Sequence, residues 1–238
     1  EPLALTGAYI DKEANLISLI ILEIGKSSRL CRTLKAGDEV VLMGPTGAPT
    51  EIVQNKKVVL IGGGLGNAVL LPIAEALKAN NCQVTYFAAY RKLEDRFYPE
   101  RIEQYSDHVV WSCEQELIST SREQDFVIKG NIIDSIIHAK QLGILDGAEH
   151  IICIGSDRMM AAVAKQKLTL FGNIKMICSI NSPMQCMMKG ICGQCIQKVT
   201  DSREYIFSCS CQDQDSDIID FDILKKRLQQ NSLSEKFN

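Results

Sequence analysis

Lys57-Val58-Val59-Leu60-Ile61-Gly62-Gly63-Gly64-Leu65-Gly66 is the stretch that decides the fold of this chain. Val58 to Ile61 is apolar at every position, as in a strand buried on both faces of a parallel sheet. The glycines follow at once, and Ala68 to Ala79 reads as a helix. A buried strand, a glycine turn and a helix together make a phosphate-binding turn. Glycine lets backbone N–H groups approach a pyrophosphate, and the helix N-terminus adds partial positive charge. Gly62 and Gly64 fit the G-x-G-x-x-G pattern, whereas Asn67 occupies its third place. The competing reading is a tight strand-to-helix turn with no ligand.

Downstream, the same alternation continues. Gln83 to Ala88, Val109 to Ser112, His150 to Ile154 and Ile174 to Ser179 read as strands, and Tyr98 to Tyr105, Ile132 to Leu142 and Asp157 to Gln166 as helices. Strands alternating with helices predict an α/β fold with a doubly wound parallel sheet. No acid ends the second strand to hold a ribose 2′-OH; Arg91 stands there and suits a 2′-phosphate. Gly155-Ser156-Asp157 repeats the strand–glycine–helix order, which flanks a nicotinamide or is an ordinary turn. Upstream, the chain to about residue 53 reads as strands, Leu16 to Leu22 and Glu39 to Met43, the second closed by Gly44-Pro45-Thr46-Gly47. A short helical stretch, Ser27 to Leu34, lies between them.

The bulk properties set bounds around this. The 238 residues are 46% hydrophobic and 23% charged, which suits a buried core and excludes a disordered chain. With 26 basic and 29 acidic residues the net charge is −3, so nothing points to nucleic acid. The apolar runs are too short to span a bilayer, and the first ten residues hold no basic signal-peptide region. The expectation is a cytoplasmic protein with reduced thiols. The chain begins at Glu1 rather than methionine, which reads as a fragment.

Ten cysteines are unevenly placed. Cys31, Cys82, Cys113, Cys153 and Cys178 are scattered among apolar neighbours and read as small buried hydrophobes. Cys186, Cys192 and Cys195 are spaced C-x5-C-x2-C, and Cys209 and Cys211 follow. Residues 182 to 212 have little periodicity, as where bound metal rather than a core organises the chain. The Cys192-Gly193-Gln194-Cys195 turn sets two thiolates on one metal or one cluster iron. Three readings stay open: a 2Fe–2S cluster, with a loop one residue longer than the plant-type C-x4-C-x2-C spacing; a zinc ion; and a redox disulfide. The tail, Ile218 to Leu228, reads as a short amphipathic helix.

Taken together, these stretches resemble the small electron-transfer subunits of the ferredoxin-reductase-like superfamily. The likeness is greatest to the alpha subunit of NADH-dependent reduced ferredoxin:NADP oxidoreductase, or sulfide dehydrogenase. The electron-transfer subunit of dihydroorotate dehydrogenase is related. The resemblance implies four regions: a partial flavin-binding β-barrel (1–54), an NAD(P)-binding domain (55–180), an iron–sulfur region (181–212) and a helical tail (213–238). It implies FAD over Pro2, Leu3, Ala4, Leu5 and Thr6, with its pyrophosphate at Gly25, Lys26, Ser27 and Ser28. It implies NAD(P)H over Gly62, Gly63, Gly64 and Gly66, with adenosine near Arg91 and nicotinamide near Gly155, Asp157 and Met159. A 2Fe–2S cluster falls to Cys186, Cys192, Cys195 and Cys209, with Cys211 in reserve. Hydride from NAD(P)H would pass to FAD and then, as single electrons, through the cluster to a larger flavoprotein subunit or fused domain.

Three features depart from the family pattern. About fifty residues precede the nucleotide domain where a flavin barrel needs about a hundred. The expectation is therefore an incomplete barrel that retains little or no FAD, or that pairs with a partner or with itself along its open edge. Glu1 replaces the arginine that precedes the proline, and the cluster loop is one residue longer. The alternative function is an NAD(P)-binding module with structural zinc, acting as a regulatory or docking subunit.

Overall fold

The computed structural model describes residues 5, 7–23, 25–180 and 186–231. Pro2, Leu3, Ala4 and Thr6 of the flavin segment lie outside the described residues.

The core is a seven-stranded sheet built from β3 (Lys57–Gly63), β4 (Gln83–Tyr90), β5 (His108–Cys113), β6 (Phe126–Lys129), β7 (His150–Ile154), β8 (Lys175–Ser179) and β11 (Asp213–Asp215). Its order is β11-β8-β7-β3-β4-β5-β6, parallel throughout except for β11, which runs antiparallel to β8. The chain adds strands outward from β3 on one side and then returns to place β7 on the other. The switch point, where ligands bind in open α/β sheets, therefore lies between the carboxyl ends of β3 and β7.

Both faces of β3 are buried, as its unbroken apolar run requires. Val58 and Leu60 pack with Val84, Tyr86, Trp111 and Ile152 under α2 (Gly66–Ala79). Val59 and Ile61 pack with Phe87, Val110, Ile151 and Cys153 toward α4 (Ile132–Gln141) and α5 (Asp157–Lys165). Each fully buried Leu, Ile or Phe stabilises the fold by about 1.5–3 kcal/mol. Polar caps start the second set of helices. Asn131 Oδ1 accepts from the N–H groups of Ile133 and Asp134, and Ser156 Oγ accepts from that of Met159. Cys82, Cys113, Cys153 and Cys178 are buried, and Cys31 is half-buried.

Outside the sheet, β1 (Gly7–Asp11) and β2 (Leu16–Leu19) form an antiparallel hairpin against α2. Arg101, in α3 (Pro99–Gln104), stacks over the Tyr9 ring at 3.8 Å. The first strand predicted from sequence thus ends at Leu19 rather than Leu22. The helical stretch comprises α1 (Lys26–Leu30) and a 3₁₀ turn, Cys31–Thr33.

The predicted strand Glu39–Met43 does not form. The segment is extended without a ladder partner among the described residues, and Val41 is 89% exposed. A β-prone run becomes a strand only when a neighbour takes up its N–H and C=O groups. The sequence reading had no strand at β6 or β11. Both are only three or four residues long and acquire their state from the neighbouring strand, β5 for β6 and β8 for β11. After β11 come a 3₁₀ turn, Ser216–Ile218, and a helix, Phe221–Asn231, whose Leu224 is buried in the second core face. No helix of the described residues is long and apolar enough to cross a membrane.

Candidate functional site: a glycine edge and a cysteine loop

At the switch point the glycines bring four elements into close approach. A Cβ on Gly66 would strike the carbonyl of Ile154, one on Gly62 would strike Asn67, and one on Gly63 or Gly155 would strike Met159. These four are glycine because β3, β7, α2 and α5 crowd together there. Gly64 differs: it has φ +53°, and a Cβ there would meet nothing within 4 Å. It is where the loop opens outward. The loop's shape is held from below. Gly64 N–H donates to Ala89 O at 2.8 Å, and Asn67 donates from its backbone and its amide to Gly64 O at 3.2 and 3.0 Å. Asn67 is fully buried, and among the described residues its Oδ1 has no partner. The sequence reading counted Asn67 as a departure from a motif; in the structure it braces the loop. The amides of the N-cap Leu65 and of Gly66, at the start of α2, have no intrahelical acceptor.

Gly63, Gly155 and Met159 meet at one spot, so the structure brings the predicted nicotinamide-side residues together with the glycine loop. Asp157 opens α5 beside them. Arg91 is exposed just past β4, one strand away. Next to it is an open cleft lined by Lys92, Leu93, Glu94, Gln115 and Glu116. Lys92 is already paired with Glu94 at 2.9 Å, a partnership that raises the lysine's pKa. The acids of this cleft were not foreseen from the sequence.

The cysteine loop brings its sulfurs together in pairs. A hairpin of β9 (Ile196–Lys198) and β10 (Tyr205–Phe207), with Ile196 opposite Phe207, sets the residues just outside it side by side. Ser208 donates from N–H and Oγ to Cys195 O at 3.0 and 2.9 Å. The Cys195 and Cys209 sulfurs are then 3.1 Å apart, with both residues fully buried. Cys186 and Cys192 form the other sulfur pair. The amides of Cys192, Ile191 and Lys189, with the Cys192 thiol, hold the Cys186 thiol down to about 6 against the opposing effect of burial. Burial first, and then the Cys195 thiol, push Cys209 up to about 11, partly offset by an N–H from Gly190.

The recorded sulfur contacts therefore join Cys192 to Cys186 and Cys195 to Cys209, rather than joining the two thiols of the C-x-x-C turn. Cys211 is exposed and lies 4.0 Å from Asp213 O, outside these pairs. Among the described residues no three His, Cys, Asp or Glu side chains stand around one point as for a single ion. Paired sulfurs suit a dinuclear cluster, with two thiolates on each iron, better than one tetrahedral zinc.

The flavin segment is less complete. Ser28 Oγ accepts from Gly25 N–H at 2.9 Å and donates to Gly25 O at 3.1 Å, so its hydroxyl is engaged in its own turn. Leu5 is exposed. Flavin binding thus stands on the resemblance and not on a cradle among these residues.

No protein-family model matches the chain. It is 41% identical over 239 residues to an uncharacterized protein of Rickettsia prowazekii (strain Madrid E), in an alignment that takes in 100% of this chain and 26% of that protein. This chain thus spans about a quarter of that relative's length. It is 28% identical over 242 residues to a dihydroorotate dehydrogenase B (NAD(+)) electron transfer subunit homolog of Thermotoga maritima, covering 100% of this chain and 79% of the relative. Against the corresponding electron transfer subunit of Caldanaerobacter subterraneus, identity is 27% over 203 residues, with 85% and 74% covered. Among solved structures, an NADH-dependent reduced ferredoxin–NADP oxidoreductase chain from work on flavin-based electron bifurcation superposes with a TM-score of 0.83 at 26% identity, covering 98% of this chain and 79% of that one.

Proposed function

We propose, from a chain similar along its length to ferredoxin-reductase-like electron-transfer subunits, that this is the electron-transfer part of an NAD(P)H-dependent flavin and iron–sulfur oxidoreductase. Its partner is a larger flavoprotein subunit or a fused domain. The observation that carries the reading is the pair of sulfur contacts, Cys186 with Cys192 and Cys195 with Cys209, in a loop whose amides point at sulfur. Such donors favour thiolate and stabilise negative charge on a cluster's sulfurs. When bound, the 2Fe–2S group supplies one-electron transfer and FAD supplies the change from electron pairs to single electrons.

The chain's own residues bind and orient. Leu65 and Gly66 offer amides to a pyrophosphate, and Gly64 keeps the approach clear of side chains. Met159 closes the floor beneath a nicotinamide, between Gly63 and Gly155. The adenosine end falls beside Arg91, where the cleft offers Lys92 as a cation and Glu94 and Glu116 as acceptors.

The test is anaerobic purification with iron, sulfide and zinc analysis and a visible spectrum. Two irons and two sulfides per chain, lost in a Cys192→Ser/Cys195→Ser double variant, are expected. A colourless protein with stoichiometric zinc would overturn the reading and establish the zinc-bearing docking subunit in its place.

A further inference from the structure

The turn Gly44-Pro45-Thr46-Gly47-Ala48 belongs to the N-terminal segment, yet its contacts are with the cysteine loop. Gln212, three residues past Cys209, reaches it with both ends of its amide. Ala48 N–H donates to Gln212 Oε1 at 3.3 Å, and Gln212 Nε2 donates to Ala48 O. A planar side-chain amide thereby imitates a backbone rung, supplying donor and acceptor at once. The backbone of Gln212 is itself anchored, since its carbonyl accepts from Ile180 N–H at 2.8 Å at the end of β8.

On the other side of the turn, Thr46 Oγ1 donates to Met188 Sδ at 2.9 Å. Gly47, at φ +81°, lies so close that a Cβ would stand 3.3 Å from Gln212 Oε1 and 3.6 Å from Cys209 O. Met187 and Met188 are themselves in the left-handed region, at φ 53° and 60°. Two successive side-chain-bearing residues hold that conformation only where their surroundings impose it. The amides that face Cys186, those of Lys189, Ile191 and Cys192, come immediately after.

We infer that Gln212 and Thr46 are positioning residues: they clamp the 44–48 turn onto the cysteine loop and so hold the amides that donate to Cys186. This rests on the iron–sulfur reading of the four cysteines. Hydrogen bonds to cluster sulfurs raise the reduction potential, because they stabilise the added electron. Loosening the clamp must therefore lower it.

The experiment takes the full chain with its reconstituted cluster and compares wild type with Gln212→Ala, Gln212→Glu and Thr46→Val. The readouts are iron and sulfide content and an EPR-monitored redox titration. Iron and sulfide are expected to match wild type. The midpoint should shift to more negative potential in all three variants, furthest in Gln212→Ala and least in Thr46→Val. Gln212→Glu keeps the acceptor for Ala48 N–H but sets an oxygen against Ala48 O, so it should not restore the wild-type value. An unchanged midpoint and EPR line shape in Thr46→Val and in the Gln212 variants would overturn the inference. Should Gln212→Ala fail to fold, Thr46→Val decides alone, because that side chain is on the surface. A wild-type chain that takes up no iron and sulfide would instead defeat the underlying reading.

Discussion

Single residues divide the glycine loop into two kinds of position, and mutation separates them. Gly64→Val adds a side chain into open space, with a left-handed strain of about 1–2 kcal/mol and no clash. Its thermal midpoint should fall by only a few degrees, while NADH binding weakens by about tenfold or more, which is about 1.4 kcal/mol. Calorimetric titration checks this, and an unchanged dissociation constant would count against the site. Gly66→Ala meets a backbone carbonyl that cannot swing away, so its principal effect should be on stability, of about 1–3 kcal/mol, seen in denaturant unfolding. The cysteines divide in the same way. Cys209→Ser should abolish stoichiometric iron, and Cys211→Ser should leave it intact, because only Cys209 stands against another sulfur. The glycine pattern is visible in the sequence, but which glycine serves packing and which serves access is not. That depends on Met159 and Ile154, about ninety residues away in the chain.

Among the elements, the β9–β10 hairpin explains why Cys209 lies beside Cys195. A short β-prone run, Tyr205-Ile206-Phe207, had to return beside Cys195, and the Ile196–Phe207 register does so. The segment Glu39–Met43 had equally strong strand character and remains unpaired among the described residues, with Val40, Val41, Leu42 and Met43 all exposed. Strand propensity describes a fit to a neighbour and cannot supply one. An exposed apolar extended run invites edge pairing. Val41→Asp should therefore shift the sedimentation profile toward monomer while the thermal midpoint holds steady. An identical distribution of species in wild type and variant would show that this segment does not mediate association.

Over the whole molecule, the N-terminal segment is joined to the sheet through residues 48–56 as well as through Gln212, and that seam carries a pH dependence. His150, 7% exposed at the start of β7, lines a cavity with Glu51, Lys175, Asp213 and Asp215. Burial first, then Lys175 and Lys56, hold its pKa below the ordinary 6.5, while Glu51 and Asp215 oppose them. Below pH 6.5 the unfolded chain takes up a proton there that the folded chain refuses. This contribution to stability is complete above about pH 6.5 and is lost as pH falls from there toward the folded pKa. Thermal midpoints measured from pH 7.5 to 5 should decline less steeply in His150→Gln than in wild type; parallel curves would exclude the mechanism. The sequence by itself determined the α/β alternation, the doubly wound sheet and the positions of the glycine turn and the cysteine loop. Hydrophobic runs, glycines and cysteine spacing are local, and local chemistry biases local structure. Only the tertiary structure decided the pairing of the four thiols, the packing role of Asn67, the absence of a strand at 39–43 and the Gln212–Ala48 clamp. Each of these joins residues far apart in the chain or depends on whether a partner is present, and no periodicity records which distant group will stand opposite.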